Sequence, residues 1–211
     1  VALLLFGTLG FFVLEYDNTM EGLNFFEKLN CAFFQSTNTR TAGFASVEIA
    51  GQYEFTKVLS VLLMFIGACP GSTGGGIKTT TFMVLAVTVI CTFRGKNESV
   101  VLRHRFSTST VYKAFSLSMV AFLLVFIDAG IISSLNPEIL YIDCLYEATS
   151  AFGTVGLSAS VTPLLDPISK LILIFTMFIG RVGPLSFGLS ILMRHKARGD
   201  SIYPEGRMLI G

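Results

Sequence analysis

The chain has 211 residues, of which 52% are hydrophobic and 14% are charged, and its net charge is +1. Soluble domains carry about a quarter charged residues, so this composition excludes an ordinary soluble protein and indicates one embedded in membrane lipid. No Ser/His/Asp set and no paired carboxylates support an enzyme, and no nucleic-acid partner is expected.

The charged residues are segregated along the chain. Residues 94–113 hold five Lys/Arg and one acid, and residues 194–207 hold four Lys/Arg and two acids. Residues 15–57 and 128–170 together hold eleven acids and four basic residues. Because cytoplasmic loops of membrane proteins are enriched in Lys and Arg, we expect the two basic stretches, including the C-terminal tail, in the cytoplasm. The acidic stretches then face outside.

Six apolar segments follow one another, beginning with residues 1–14, which are too few to cross a bilayer because a spanning helix needs about 20. Since the sequence starts at Val1 within apolar residues, we expect it to begin partway through a helix of a longer protein. Residues 23–35 and 139–152 are also too short and are predicted to be re-entrant. Residues 112–135 and 168–193 are predicted to span the membrane.

Two parts of the chain repeat without a gap, 113 positions apart. The recurring pairs are Cys31 and Cys144, Thr41 and Thr154, Gly43 and Gly156, Lys57 and Lys170, and the Met-Phe-Ile-Gly runs that end at Gly67 and Gly180. In an apolar protein, such a repeat predicts a pore built by rotating one module about an axis.

Each copy contains a Thr-x-Gly loop, which is Thr41-Ala42-Gly43 in the first copy and Thr154-Val155-Gly156 in the second. Carbonyl groups in a loop buried among helices lack partners, and a dehydrated cation can supply one. Glycine permits the positive φ that turns successive carbonyls toward one axis, and the Thr hydroxyl adds an oxygen ligand. Neither loop contains a carboxylate, so the pattern favours a monovalent cation over a divalent one.

Residues 55–93 form an apolar stretch that is interrupted at 67–81 by a run rich in Gly and Pro. Such a run cannot hold a regular helix, and irregular backbone at membrane depth must be buried by protein or reached by water. We therefore predict a broken helix beside a cavity, with Gly74, Gly75 and Gly76 in a flexible segment that lines the pathway.

Lys78 follows this Gly-rich run and has two interpretations. Its ammonium group either lies in the water-filled pathway or snorkels to the cytoplasmic interface. The run does not predict a nucleotide-binding P-loop, because Ile77 separates the last glycine from Lys78 and the flanking segments are membrane runs.

Arg181 lies near the middle of the segment 168–193. An arginine at the bilayer centre costs about 2.5 to 3.5 kcal/mol, so its side chain should face protein or water. It would raise the barrier to ions below the loops or bind carbonyls of the broken helix, unless its role is purely structural.

Other polar residues fall near the two loops. Glu27, Asp143 and Glu147 lie toward the predicted outer mouth, where acids would concentrate cations, although a solvated outer face is the simpler interpretation of each. Arg40 is predicted to brace the first loop by donating hydrogen bonds to carbonyls.

Segments 38–44, 71–79, 180–184 and 203–211 resemble the Trk/Ktr/HKT superfamily of potassium transporters, and most closely its Ktr-type membrane subunit. The resemblance covers essentially the whole chain. It implies an all-α integral membrane protein with two tandem membrane–pore-loop–membrane repeats, the third and fourth of a pseudo-fourfold cation pathway. It also implies that Gly211 is the natural C-terminus.

The resemblance divides the chain into four parts. We expect the third-type repeat at 1–94, with its first helix truncated and its second broken at 67–81, and a cytoplasmic loop at 95–111. The fourth-type repeat is expected at 112–194 and a cytoplasmic tail at 195–211.

The resemblance also implies potassium uptake across the bacterial inner membrane, often dependent on sodium as a coupling ion, with no cofactor. Gly43 and Gly156 match the single glycine of each selectivity-filter loop. In the family, certain filter residues turn their carbonyls or hydroxyls toward the ion, and these residues match Thr41, Ala42, Thr154 and Val155. The Gly-rich run, with Gly74, Gly75, Gly76 and Lys78, resembles an intramembrane gating loop, and Arg181 matches an arginine that contacts it. The implied partners are a second copy in a homodimer and a cytoplasmic nucleotide-binding regulatory ring of the KtrA type.

Other interpretations stay open at this point. A secondary solute transporter also uses broken helices, although such folds usually lack two Thr-x-Gly loops in register. A non-transporting membrane module would need its loop glycines for stability alone. Because two loops cannot encircle an ion, a pathway needs further repeats or two such chains assembled into a fourfold pore.

Overall fold

The computed structural model describes residues 1–95, 100–101 and 104–183, and α-helices account for most of them. The helices are α1 (Ala2–Leu14), α2 (Phe25–Asn38), α3 (Glu54–Phe65), α4 (Thr79–Phe93), α5 (Thr108–Leu135), α6 (Tyr141–Gly153) and α7 (Pro167–Val182). Two short strands, β1 (Val100–Val101) and β2 (His104–Arg105), pair antiparallel between α4 and α5. The predicted tail 195–211 and the end of the segment 168–193 lie outside the described residues.

Helix α5 is the longest of the described helices, with 28 residues. At a rise of 1.5 Å per residue it is about 42 Å long, enough to cross a hydrocarbon core of about 30 Å. Within the described part of the chain, it is the one helix that meets both the length and the apolarity expected of a membrane span. It begins four residues before the predicted segment, because the Ser107 hydroxyl accepts the Thr110 N–H at 3.2 Å and caps the first turn.

Helices α2 and α6 have 14 and 13 residues, so each is about 20 Å long and too short to cross the bilayer alone. They occupy the positions of the two segments predicted to be short; α6 ends directly before its Thr-x-Gly loop, and two residues separate the end of α2 from Thr41. Helix α1 packs on α2 and α3, whereas α6 packs on α3, α5 and α7. Every residue from 144 to 153 of α6 is buried, which makes this helix the centre of the described fold.

The predicted interruption between α3 and α4 is present. Helix α3 ends at Phe65, and the chain returns at Ile77, whose N–H donates to the Phe65 carbonyl at 3.1 Å. A parallel bridge between Ile66 and Ile77 closes the neck of this loop. Gly67 is required at the neck, because a Cβ there would overlap the carbonyl oxygen of Gly75. Residues 66–78 are called the break below.

A similar close approach sets the position of α7. A Cβ on Gly180 would overlap the backbone carbonyl of Phe152 at the end of α6, so only glycine lets the two helices meet there. The contact places the next residue, Arg181, beside the end of α6 and the break. The opposite face of α7 exposes Leu171, Ile174 and Phe178 at 65%, 59% and 58%. Exposed apolar faces of this kind are typical of contact with lipid or another membrane segment.

Candidate functional site

The two Thr-x-Gly loops have the same backbone conformation. Thr41 and Gly43 have φ of 70° and 76°, and Thr154 and Gly156 have φ of 51° and 89°. Between them, Ala42 and Val155 are not in the left-handed region. A β-branched residue at positive φ is strained by about 1–3 kcal/mol, and such strain concentrates at functional sites. The sequence repeat is therefore also a repeat of an unfavourable backbone geometry.

The loops lie against each other. A Cβ built on Gly43 would be 2.7 Å from the Val155 carbonyl oxygen and 3.6 Å from the Gly156 Cα. Val155 is buried, whereas Ala42 and Gly156 are exposed. The two predicted loops thus lie together, at the point where the chain leaves α2 and α6.

The break passes directly beside both loops. A Cβ on Gly74 would be 2.9 Å from Thr41 Oγ1, and one on Gly75 would be 2.8 Å from Thr154 Oγ1. The Gly75 N–H also donates a hydrogen bond of 2.9 Å to Thr154 Oγ1. Gly76, at φ 74°, turns the chain back toward the end of α3. Gly74 therefore contacts Thr41, and Gly75 contacts Thr154.

Three cationic side chains hold carbonyls of the break. Lys78 Nζ donates to the Gly74 carbonyl at 2.6 Å and to the Ser72 carbonyl at 3.3 Å. Arg181 Nη1 donates to the Thr73 carbonyl. Hydrogen bonds from charged donors are stronger than neutral ones, and these carbonyls have no helical partner of their own. The Lys78 side chain thus folds back onto the break, and the two interpretations of its place in the membrane stay predictions.

Arg40 provides the third contact, from the first loop. Its Nη1 donates to the Gly67 carbonyl at 3.3 Å, as the sequence predicts for a residue that braces carbonyls. In the second copy the position of Arg40 is taken by Gly153, so the two loops are not held in the same way.

The three acids near the loops have distinct partners. Glu27 is exposed and accepts the Asn24 N–H at 2.8 Å, which caps α2. Asp143 forms a 2.7 Å ion pair with Lys57 of α3. Glu147 is 5% exposed and fully hydrogen-bonded to its surroundings. Glu27 is therefore exposed to solvent, whereas Asp143 and Glu147 are not solvated surface acids.

The two loops offer backbone carbonyls and hydroxyls as oxygen groups, and the Glu147 carboxylate lines the cavity beside the second loop. Among the residues that the structure describes, no three His, Cys, Asp or Glu side chains come together. A cavity of about 340 Å³ borders the second loop and is lined by Thr154, Gly156, Ser158, Thr162 and Glu147, together with apolar residues of α6 and α7. Backbone carbonyls and hydroxyls suit a large monovalent cation better than a hard divalent one.

Comparison with known proteins places this geometry in a family. Residues 5–198 match the model of TrkH, described as a cation transport protein. The chain belongs to the TrkH cation transport family. The Trk/Ktr resemblance of the sequence is thereby confirmed, and the membrane location follows from the family.

The relatives in this family include bacterial potassium uptake proteins. Ktr system potassium uptake protein B of Bacillus subtilis (strain 168) is 39% identical over 203 residues, covering 95% of this chain and 45% of the relative. The potassium/sodium uptake protein NtpJ of Enterococcus hirae is 34% identical over 216 residues, covering 100% of this chain and 48% of the relative. The chain thus spans less than half the length of these TrkH-family proteins.

The fold also matches a solved structure. The crystal structure of the potassium transporter TrkH from Vibrio parahaemolyticus matches 91% of this chain and 42% of that one, with a TM-score of 0.70 and 21% identity. At that identity the match shows the fold alone, which is the helical TrkH fold.

Proposed function

We propose that this chain forms part of a potassium uptake pathway, in which the two Thr-x-Gly loops are half of a selectivity filter. The observation that carries the proposal is the pair of loops, each with its Thr and its Gly at positive φ and in contact at Gly43 and Val155. The names of the relatives, potassium uptake and potassium/sodium uptake, support the choice of ion.

The proposed chemistry is replacement of the water shell of the ion. The filter residues are Thr41, Ala42 and Gly43 in one loop and Thr154, Val155 and Gly156 in the other. Alternating left-handed and right-handed φ turns carbonyls toward one side, where they bind a dehydrated potassium ion together with the threonine hydroxyls. Two loops cover part of the ion, so the working pathway includes further repeats of the full-length protein arranged in pseudo-fourfold symmetry. Within it, each module is a membrane–pore-loop–membrane repeat.

The break is proposed to be the gate. The break lies against Thr41 and Thr154. Because Gly74, Gly75 and Gly76 have no side chains, the break can move there without steric clash. Lys78 and Arg181 hold its carbonyls and so favour one position of the gate. A cytoplasmic nucleotide-binding regulatory ring of the KtrA type is proposed to shift that position.

The proposed setting is the bacterial inner membrane. The full-length protein is proposed to be a multi-pass homodimer with a cytoplasmic C-terminus, in contact with membrane lipid, and to depend on sodium as a coupling ion. The segregation of basic residues supports the orientation.

The test is potassium-limited growth and rubidium uptake in a bacterium that lacks its own uptake systems and expresses the full-length gene with its regulatory partner. Gly156→Ser in an equally abundant protein should lower the preference for potassium over sodium, because a side chain at φ 89° would distort the loop. Gly22→Ser is the matched control. Gly22 has φ of 81° and open space for a Cβ, so a serine there introduces comparable backbone strain away from the loops.

The outcomes separate the proposed function from its rivals. Lost selectivity in Gly156→Ser, with normal selectivity in Gly22→Ser, supports the filter. No uptake by the wild-type protein, or unchanged selectivity in Gly156→Ser, refutes it and favours a secondary solute transporter with a broken-helix binding site. A loss of stability alone in both variants would favour a non-transporting module.

A further inference from the structure

Glu147 of α6 binds the segment of chain that leaves the second loop. Its Oε1 accepts the Ser158 hydroxyl at 2.5 Å and the Ala159 N–H at 3.1 Å. Its Oε2 accepts the Thr162 hydroxyl at 2.8 Å. All three donors lie within five residues of one another, so one carboxylate anchors residues 158–162 to the helix. This segment is called the anchored segment below.

The Glu147 carboxylate is shielded from water. It is 5% exposed, and a buried carboxylate is tolerated only where hydrogen bonds satisfy it. The three donors do so, and hydrogen bonds to an ionised group are the strong ones. The anchored segment also contains Ser160 at φ 66°, a conformation that a serine adopts only when its surroundings impose it.

Along the chain, α6 precedes the second loop and the anchored segment follows it. Helix α6 ends at Gly153, the loop follows at Thr154 to Gly156, and the anchored segment starts two residues later. The loop is thus held at both ends by the same helix. The cavity beside Thr154 and Gly156 gives the loop room to move if the anchor is released.

The first copy lacks this carboxylate and its hydroxyl donors. At the positions 113 residues earlier, Glu147 is replaced by Phe34, Ser158 by Ala45 and Thr162 by Ile49. Phe34 is 43% exposed and cannot accept a hydrogen bond. At the first loop, Arg40 donates to the Gly67 carbonyl, and Cys31 Sγ of α2 lies 3.7 Å from the Ser46 hydroxyl oxygen beyond the loop. The two loops of one site are therefore restrained by different means.

We propose that Glu147 is a positioning residue that fixes the Thr154–Gly156 loop through the anchored segment and thereby sets its discrimination between ions. The proposal rests on the proposed filter function. It assigns Glu147 a mechanical role, distinct from that of an acid that attracts cations to the mouth.

The test uses the full-length protein with Glu147→Gln, Glu147→Ala and the double variant Ser158→Ala/Thr162→Val. Glu138→Gln is the matched control, because Glu138 is an exposed acid just before α6. Two quantities are measured in each variant. One is the ratio of rubidium to sodium uptake, and the other is amide hydrogen exchange in the peptide that contains Ala159, compared with a peptide from residues 33–45.

The expected result is faster exchange at the Ala159 peptide, by at least about tenfold in Glu147→Ala, with no change at residues 33–45. The uptake ratio should fall in the order of lost hydrogen bonds, least in Glu147→Gln and most in Glu147→Ala. The double variant keeps the carboxylate but should reproduce the fall, and Glu138→Gln should have no effect. Glu147→Gln keeps the shape of the side chain, so it tests the proposal even if Glu147→Ala does not fold.

Three outcomes would overturn the proposal. If Glu147→Gln and Glu138→Gln both weaken uptake at low potassium, while the double variant leaves the uptake ratio unchanged, Glu147 acts through its charge. If exchange at Ala159 rises but selectivity does not, while Gly156→Ser does lose selectivity, the anchor is structural and the filter proposal stands. If Gly156→Ser is also silent, the filter proposal itself fails, and the exchange data still report on the anchor.

Discussion

Lys57 Nζ and Asp143 Oδ1 lie 2.7 Å apart and join the two copies of the repeat. Lys57 is in α3 of the first copy and Asp143 is in the first turn of α6 of the second, and their side chains are only 7% and 15% exposed. An ion pair this buried holds two elements in register, and removing one partner leaves the other charge without compensation.

We therefore expect Lys57→Met and Asp143→Asn each to destabilise the full-length protein by about 3 kcal/mol. The double variant should be more stable than the sum of the two predicts, by about 1–3 kcal/mol. Thermal unfolding of the detergent-purified protein measures both. Lys170→Met is the control, since Lys170 is the repeat equivalent but donates to the Pro163 carbonyl at the surface. Additive losses would show that the pair is not coupled.

Thr41→Gly should stabilise the fold and impair function. Thr41 has φ of 70°, and glycine removes that strain, for a net gain of about 1 kcal/mol after the added freedom of the unfolded chain. The variant also loses the hydroxyl proposed to bind the ion, so its preference for potassium should fall. Melting temperature and the uptake ratio are measured together, and Thr41→Ser, which keeps the hydroxyl, should retain the preference. A lower melting temperature for Thr41→Gly would contradict the assignment of strain.

Gly180→Ala tests the contact between α7 and α6. The new methyl group would overlap the Phe152 carbonyl, so we expect a loss of about 1–3 kcal/mol or failure to fold. Gly130→Ala in α5 is the control, because its Cβ would meet open space and alanine favours a helix by up to about 1 kcal/mol. Yield and melting temperature are sufficient readouts. Equal behaviour of the two variants would rule out the close approach.

Arg181→Gln tests the proposed gate. Removal of the charged donor frees the Thr73 carbonyl and should let the break leave the loops, which raises the rate of rubidium uptake by up to about tenfold. Lys78→Gln, which frees the Gly74 carbonyl, should act in the same direction. Arg181→Lys keeps a donor and serves as the control. Slower uptake in both glutamine variants at equal protein abundance would show that the cations do not hold the gate closed.

Ionisation of the Asp166 carboxyl should make the stability of the fold depend on pH. Hydrogen bonding with Ser169, helped by Asn136 and the Ile168 N–H, holds the pKa of this carboxyl below its ordinary value of 3.8. Because the folded pKa is lower than the unfolded one, the carboxylate stabilises the fold above about pH 4, and this stabilisation is lost as the pH falls through the folded pKa.

Asp166→Ala should therefore lower the melting temperature at neutral pH, and the difference from wild type should shrink below about pH 4. Ser107→Ala removes the cap of α5, which does not titrate, so its effect should be the same at both pH values. A pH-independent loss in Asp166→Ala would show that the ionised form is not the one that caps α7.

Several features of the fold are predictable from the residues because they depend on local patterns. Apolar length predicts α5, the Gly-rich run predicts the break, and the repeat predicts that Thr41 and Thr154 occupy equivalent loops. Arg181 is predictable because an arginine among apolar residues needs a partner, and the break supplies it.

Other features depend on contacts that no local pattern contains. Lys57 and Asp143 are 86 positions apart. Lys57 pairs with an acid whereas its repeat equivalent, Lys170, donates to the Pro163 carbonyl, and this difference follows only from packing. Glu147 resembles a surface acid in the sequence, and its burial is visible only once residues 158–162 fold back on α6. The left-handed backbone of Thr41 and Thr154 runs against residue preference, so propensity cannot predict it.

The hydrogen bond between the Gly75 N–H and Thr154 Oγ1 makes one oxygen common to the break and the proposed ion site. A hydroxyl oxygen has two lone pairs, so the ion and the amide draw on the same atom. Binding equilibria that share a group are linked, and the linkage is reciprocal. If ion binding changes the equilibrium constant for the position of the break by some factor, displacement of the break changes the affinity for the ion by the same factor. An ion titration at equilibrium would therefore measure the state of the break without any probe attached to it.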